Sequence, residues 1–490
     1  MTALVSALVL GTRVLQAQAT NEVEQLKRQL QQMQENFERA QREQKQQIEA
    51  LTQKLEALAK QQAAEAEKKK LEMQLAAELQ KNQPTPSAGS AAAAPTSPWS
   101  PSQPITVARA GSAYMNISFD ALVAAGTSTA NDIDKLELGG HDPKQRGFTV
   151  QNLETTFDGK VDPYFRGQAN IVLQIGPNGE TTIEAEEAYL ETMSLPWNLQ
   201  VKAGQFFTEF GRLNPTHPHT WSFVDQPLVN GRFFGEDGLR SAGARLSWLT
   251  PTPFYSELFF TIQNSQGGTA FSFRNEHEGG FFFGRPHNQG RVKSLGDMLF
   301  VPRYAAAFDL SDSQTLVAGV SAAFGPNGSG ADQDTQIYGA DLYWKWKPAN
   351  AHAGFPFVSW QTEAMLRRYE AGAFAGDPAP TPPLPALPAE TLTDWGIYSQ
   401  VLWGFKPRWV AGLRGDFVAP TETAAYETIL GRDPDRAQRW RISPNLTLYP
   451  SEFSKIRLQY NYDDRRGIGV DHSVWLQFEF LLGAHAAHKF

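Results

Sequence analysis

The sequence predicts an all-β transmembrane barrel of about 16 antiparallel strands, preceded by an N-terminal α-helical coiled coil. Two observations predict the barrel. Short stretches alternate apolar and polar residues, as in KIRLQYNYD at 455–463, where Ile456, Leu458 and Tyr460 share one face of a strand. The connections between such stretches alternate between short and long, as the periplasmic turns and outer loops of membrane barrels do.

Sixteen such β segments can be placed between residue 112 and the C-terminus. The turns after even-numbered segments are short, whereas most loops after odd-numbered segments are long and rich in Gly, Asn and Asp, for example 126–146, 214–241 and 269–299. In a soluble β-sandwich, loop length is not expected to alternate between odd- and even-numbered segments. The segments begin near Ala113, Phe148, Tyr164, Thr182, Leu199, Ala242, Phe254, Phe300, Gln314, Thr335, Phe357, Trp395, Trp409, Gln438, Lys455 and His472.

Composition limits the possible classes of function. The chain has 490 residues, a formal net charge of −8 and no cysteine. Disulfides, thiolate metal sites and cysteine catalysis are therefore excluded, and the acidic balance gives no general basic field for nucleic acid. The sequence also has no run of about 18 apolar residues, which excludes an α-helical membrane protein.

The N-terminal region predicts export and self-association. An apolar stretch before Ala17-Gln18-Ala19 predicts a signal peptide at 1–19, although no Lys or Arg precedes it. Residues 20–83 contain no Gly or Pro and repeat apolar residues three and four apart, which predicts a homo-oligomeric coiled coil. A Pro/Ala/Ser-rich linker at 84–111 leads to the barrel at 112–490. An even strand count puts both barrel ends on the periplasmic side, and with them the coiled coil.

The polar faces of the last seven segments carry more basic than acidic residues. Charge inside a pore selects small solutes, so this excess predicts an anion-attracting wall, with a mutually paired lumen as the alternative. In the first half, IEAEEAYLE at 183–191 breaks strict alternation and leaves open which of Glu184, Glu186 and Glu187 face inward. The predicted pore-lining residues are Lys345, Arg367, Arg414, Arg439, Arg441, Lys455, Arg457, Asp341, Glu363, Asp416 and Glu479.

The loop after the fifth segment, 216–241, is the predicted constriction. It contains several aromatic residues, which are unusual in a free loop and predict packing against the inner wall. A lid over an outer loop or a neighbouring subunit is the alternative. The charged residues expected to narrow the channel are Arg232, Glu236, Asp237 and Arg240.

The histidines are weak candidates for metal ligands. His217 and His219 flank Pro218, and His141, His277, His287 and His472 fall in predicted outer loops. Their spacing matches no closed metal site, so we expect solvated loop histidines and no metal or other cofactor.

Two short features resemble bacterial outer-membrane porins. The chain ends in Phe490, and VKAGQFFTEFGRLNP at 201–215 resembles the "GQF…FG" strand of the phosphate-selective porin O/P family. This resemblance implies a sixteen-stranded homotrimer that allows passive diffusion of small solutes. It also implies that the barrel-assembly machinery reads Phe490, and that relatives carry a periplasmic coiled coil.

Together these features predict an outer-membrane porin of a Gram-negative cell, embedded in lipid, for passive diffusion of small hydrophilic solutes, with a preference for phosphate-like anions. No Ser/His or Asp/His set stands out near the rim, so we predict no enzyme activity. The alternatives are a zinc-type metal-ion uptake channel and a structural barrel that tethers the outer membrane through its coiled coil.

Overall fold

A computed structural model describes residues 105–274, 280–287, 290–380 and 382–483. The predicted signal peptide (1–19), the coiled coil (20–83), His277 and Phe490 lie outside these residues. Within them, no helix is long and apolar enough to cross a bilayer.

Most of the described strands form one closed antiparallel barrel. Sixteen strands, β2–β8 and β11–β19, pair in chain order, and the ring closes where β8 pairs with β11 and β19 pairs with β2. The strands are β1 (Ile105–Ala110), β2 (Ala113–Ser128), β3 (Gly147–Lys160), β4 (Phe165–Ile175), β5 (Thr181–Thr192), β6 (Leu199–Phe207), β7 (Arg240–Leu249), β8 (Tyr255–Asn264), β9 (Phe281–Phe282), β10 (Arg285–Pro286), β11 (Met298–Ser311), β12 (Gln314–Pro326), β13 (Asp334–Trp346), β14 (Phe357–Ala371), β15 (Glu390–Lys406), β16 (Trp409–Pro420), β17 (Arg439–Ser451), β18 (Ser454–Arg465) and β19 (Gly469–Leu482).

The predicted sixteen-stranded barrel is confirmed, because each predicted segment corresponds to one barrel strand. The largest difference in a starting residue is at β15, which begins at Glu390 rather than near Trp395. One boundary is wrong: residues 105–110, assigned to the linker, form β1. This strand continues the sheet because it pairs with the first residues of β2.

The two faces of each strand differ in the sense expected of a membrane barrel. In β18, Lys455, Arg457 and Gln459 are no more than 2% exposed and point into the barrel, whereas Leu458 is 50% exposed on the outside. Phe480 in β19 is 54% exposed in the same way. An apolar exterior around a charged interior reverses the arrangement of a soluble protein and suits lipid outside.

Among the residues that the structure describes, three short α-helices lie in the long connections. They are α1 (Ile133–Leu136), α2 (Leu228–Phe234) and α3 (Ala425–Leu430). α2 packs inside the barrel against β14, β15 and β16. The largest apolar cluster therefore lies inside the barrel, between this connection and the wall.

Candidate channel lumen and its inward loop

Residues 208–239, which connect β6 to β7 and are called here the inward loop, occupy the barrel interior. Phe210, Phe233 and Phe234 of this loop are at most 1% exposed and pack in one cluster with Ile337 and Met365 of the wall. Removing these side chains from water stabilises the docked position by roughly 2 kcal/mol each. The large apolar side chains that the sequence places in this loop therefore bind it to the inner wall.

Glycines in the wall make room for this packing. A Cβ atom at Gly339 would lie 2.6 Å from the ring of Phe210, and one at Gly396 would lie 2.7 Å from the side chain of Val229. Both distances are too short for ordinary contact, so the loop can approach only where the wall carries no side chain.

Asp225 joins the inward loop to three strands. Its Oδ1 accepts hydrogen bonds from Arg414 Nη2 (2.7 Å) and Gln459 Nε2 (2.9 Å), and its Oδ2 accepts them from Arg441 Nη1 (2.5 Å) and Asn461 Nδ2 (2.7 Å). Burial alone would raise the pKa of Asp225, but Arg414 and Arg441 outweigh it and lower the pKa to about 2. The carboxylate therefore stays ionised at neutral pH and holds the loop.

Glu363 of β14 fixes the start of the loop. Its carboxylate accepts hydrogen bonds from the backbone N–H groups of Arg212 (3.0 Å) and Leu213 (2.8 Å), and from the hydroxyl of Tyr398. Gly211 has a φ of +61° and lies against this carboxylate, where a Cβ atom would come within 2.1 Å of it. Only glycine fits this left-handed and crowded position.

The predicted pore-lining residues lie inside the barrel, and all of them except Lys345 are buried. Lys345 is half-buried, with Nζ 5.4 Å from the ring centroid of Phe357. Arg457 donates to Thr447 Oγ1 and Gln477 Oε1, both at 3.0 Å. The ion pairs of this wall include Arg303–Asp341 (2.5 Å), Arg367–Asp394 (2.9 Å), Arg414–Asp416 (2.7 Å), Arg439–Asp463 (2.6 Å), Arg441–Asp463 (2.6 Å) and Lys455–Glu479 (2.9 Å).

Several acidic partners were missed from the sequence. Asp463 continues the inward alternation of KIRLQYNYD and could have been counted, and Asp394 immediately precedes the segment predicted to begin at Trp395. Asp225 and Glu137 come from loops, and Glu137 pairs with Arg441 at 2.8 Å. The basic excess of the strands is thus offset by further carboxylates, some from the strands and some from the loops.

The charged residues predicted to narrow the channel lie in different environments. Arg232 is buried and donates to the carbonyls of Arg436 (3.0 Å) and Ala437 (2.9 Å). Glu236 is exposed and pairs with Lys144 at 3.3 Å. Asp237 is half-buried, and burial raises its pKa. Arg240 was assigned to the loop, but it is the first residue of β7 and pairs with Glu184.

Beyond β19 along the ring of strands, β2, β3 and β5 carry an acidic arc. Glu186 and Glu187 both point inward, at 1% and 6% exposure, because β5 has a bulge at this position: Asn170 of β4 pairs with Glu187 and Ile171 pairs with Ala185. A bulge inserts one residue and redirects side chains, which explains why IEAEEAYLE breaks alternation. Asp120 of β2 and Glu154 of β3 complete the arc.

The inward loop brings histidines onto this arc. His217 and His219 are 8% and 4% exposed, and His141, in the connection between β2 and β3, is 3% exposed. The expectation of solvated histidines is therefore wrong for all three. His217 Nδ1 lies 2.8 Å from Glu186 Oε2 and 3.4 Å from Glu154 Oε2. His219 Nδ1 lies 3.4 Å from the same Glu154 oxygen and 3.8 Å from Asp120 Oδ2.

The carboxylates make this cluster attractive to cations. Burial alone would lower the pKa of His217, but Glu154 and Glu186 hold it well above its usual range. Burial opposes protonation of His219 too, and Glu154 and Asp120 raise its pKa. The lumen therefore contains a wall of paired bases on β14–β18 and a carboxylate and histidine cluster on β2, β3 and β5, with the inward loop bonded to both.

Comparisons with known proteins agree with this fold. No protein-family model matches the chain. Among solved structures, the outer membrane channel DcaP of Acinetobacter baumannii matches with a TM-score of 0.50 and 12% identity, over 76% of this chain and 99% of that chain. At this identity the match establishes the barrel fold alone. A protein of Aquifex aeolicus (strain VF5), described only as an uncharacterized protein, is 33% identical over 375 residues, which are 72% of this chain and 73% of that one. The chain belongs to the same family as this Aquifex aeolicus protein.

Proposed function

We propose that this protein is an outer-membrane channel through which small hydrophilic solutes diffuse. The observation that carries the proposal is a closed barrel with apolar residues outside, charged residues inside and a loop bound within. An apolar exterior suits lipid, and a polar interior suits water and solutes. The match to the DcaP channel supports the same function. The inward loop sets the size limit, because it occupies the interior that a solute must cross.

Charge preference follows from the balance of the two walls. The basic residues of β14–β18 favour anions of the phosphate type, although their carboxylate partners reduce the field that a solute meets. We expect a weak preference for anions. The homotrimer, the periplasmic coiled coil and assembly through Phe490 remain proposals from the sequence.

The test is single-channel conductance of the purified, refolded protein in a planar bilayer. A KCl gradient gives the reversal potential and hence the preferred ion, and added phosphate tests for a binding anion. We expect discrete conductance steps, an anion-selective reversal potential and partial block by phosphate. A folded protein that gives no steps would refute the channel, and a cation-selective reversal potential would refute the anion preference alone.

Uptake of a zinc-type metal ion is the second candidate, because nitrogen and oxygen ligands converge at the acidic arc. These ligands belong to buried side chains, however, so they lie under the inward loop rather than along an open path. A zinc-carried current under a zinc gradient would favour this candidate over the anion channel.

A further inference from the structure

The distances within the acidic arc match those between ligands of one metal ion. Two donor sets share Glu154: one adds Glu186 and His217, the other adds Asp120 and His219. The nitrogen-to-oxygen distances are between 2.8 and 3.8 Å. Ligands of a tetrahedral zinc ion at 2.0–2.1 Å lie about 3.3 Å from one another, and the same edge shortens to about 3.0 Å in octahedral sites.

The orientation of His217 aims Nδ1 at two carboxylates. Its Nε2 lies 2.9 Å from Glu187 Oε2, and a carboxylate accepts only, so Nε2 carries a proton. Nδ1 faces Glu154 and Glu186. Nδ1 and Glu186 Oε2 are both buried and 2.8 Å apart, yet they make no hydrogen bond of good geometry. Two atoms of this kind need a cation between them, and a metal ion bound to both would serve as well as a proton on Nδ1.

The surroundings of the donors resemble the outer shell of a metal site. Metal-binding histidines commonly donate their second N–H to a carboxylate, as His217 does to Glu187. Glu154 is oriented through Oε1, which accepts from Thr156 Oγ1 (3.0 Å) and from Asn170. Its Oε2 accepts from Asn152 Nδ2 (3.3 Å) and faces both histidines.

We propose that His217, Glu154 and Glu186 bind a resident divalent transition-metal ion of the zinc class, with His219 and Asp120 forming a second donor set on the same Glu154. Imidazole ligands select such ions over calcium or magnesium. The ion is resident rather than in transit, because its ligands are buried between the inward loop and the wall. Because the histidines come from the inward loop and the carboxylates from β2, β3 and β5, the ion holds that loop against the acidic arc. This inference goes beyond the proposed channel and does not depend on conductance.

The test uses the full-length protein in detergent, stripped of metal with a chelator and titrated with Co²⁺, which reports nitrogen and oxygen ligation through its visible absorption. We expect at least one Co²⁺ per chain with ligand-field bands, displacement of Co²⁺ by Zn²⁺, and no displacement by Ca²⁺. H217A should weaken binding at least 100-fold. E187Q retains every proposed ligand and should weaken binding about 10- to 100-fold through the lost outer-shell contact.

The matched control is H352A, because His352 is exposed in the connection before β14 and should leave the affinity unchanged. Heat-modifiable mobility on a denaturing gel reports whether each variant is a folded barrel. If H217A does not fold, E187Q decides the question. Absence of stoichiometric binding to the folded wild type, or equal affinities for the wild type, E187Q and H352A, would overturn the proposal. In that case protonated histidines balance the carboxylates. The channel proposal stands or falls separately on the bilayer recording.

Discussion

Replacing Asp225 with Asn should release the inward loop and enlarge the channel. The side chain keeps its shape, but only one of its two acceptor oxygens remains. In the wild type, Oδ1 and Oδ2 each accept two hydrogen bonds, one of them from an arginine. In D225N an amide N–H₂ must face either Arg414 or Arg441, so one pair of donors loses its acceptor.

The cost can be worked out in two ways. A hydrogen bond to a charged group contributes about 1.5–3 kcal/mol, and breaking a buried ion pair costs about 3–5 kcal/mol. The second route is the pKa of Asp225, which is lowered to about 2 from 3.8 and corresponds to roughly 2–3 kcal/mol. Both arginines keep another carboxylate, so we expect about 3 kcal/mol, or roughly a 100-fold shift toward the undocked loop.

The assay is single-channel conductance in planar bilayers at neutral pH. D225N should show larger conductance steps and more open-channel noise than the wild type. D341N is the matched control, because Asp341 of β13 pairs with Arg303 of β11 within the wall and not with the loop. D341N should lose comparable stability without a change in conductance. If folded D225N conducted like the wild type and D341N, Asp225 would not hold the loop in a position that limits flow.

The same carboxylate gives a pH dependence with a defined sign. Because the pKa of Asp225 is lower in the folded protein, its contribution is present above about pH 4 and is lost as pH falls toward 2. Wild-type conductance should therefore rise on acidification through this window. D225N, which lacks the titrating group, should show a smaller rise over the same window. Equal rises in the two proteins would assign the acid effect to other groups.

Three further predictions concern the wall and the lipid face. G211A should destabilise the docked loop by about 2–4 kcal/mol, because the new Cβ would clash with the Glu363 carboxylate and the residue would keep a left-handed φ. Thermal unfolding should show the lower stability, and an unchanged transition temperature would contradict the prediction. L458R should lower barrel stability in lipid by about 2–4 kcal/mol, because it places a charge on the face that contacts lipid, whereas I468R, in the turn before β19, should lower it little. Equal urea-unfolding curves of the two variants in vesicles would show that Leu458 does not contact lipid. The triple variant R414A/R439A/R441A should leave carboxylates unpaired and move the KCl reversal potential toward cation selectivity. An unchanged reversal potential would refute the role of these arginines in charge selection.

Much of the barrel could be predicted because its signals are local. Alternation along a strand requires only neighbouring residues, so the sixteen strands and the inward positions of Lys455, Arg457 and Gln459 follow from the sequence. Bulges are the exception within strands. The break in alternation at 183–191 was visible, but the position of the extra residue depends on its register with β4, and therefore Glu186 and Glu187 could not both be assigned inward.

The site itself depends on contacts between residues far apart in the chain. Asp225 lies 189 residues from Arg414 and 216 from Arg441, and only closure of the barrel and docking of the inward loop bring them together. His217 and His219 looked like solvated loop residues because the sequence does not show what a loop packs against.

The sequence by itself therefore determined that this chain forms a barrel with an apolar exterior and a charged interior, because strand alternation is a property of consecutive residues. Only the tertiary structure decided which charges neutralise one another and which histidines meet carboxylates. The physical reason is that those interactions depend on strand register and loop docking, which are set by the packing of the whole barrel.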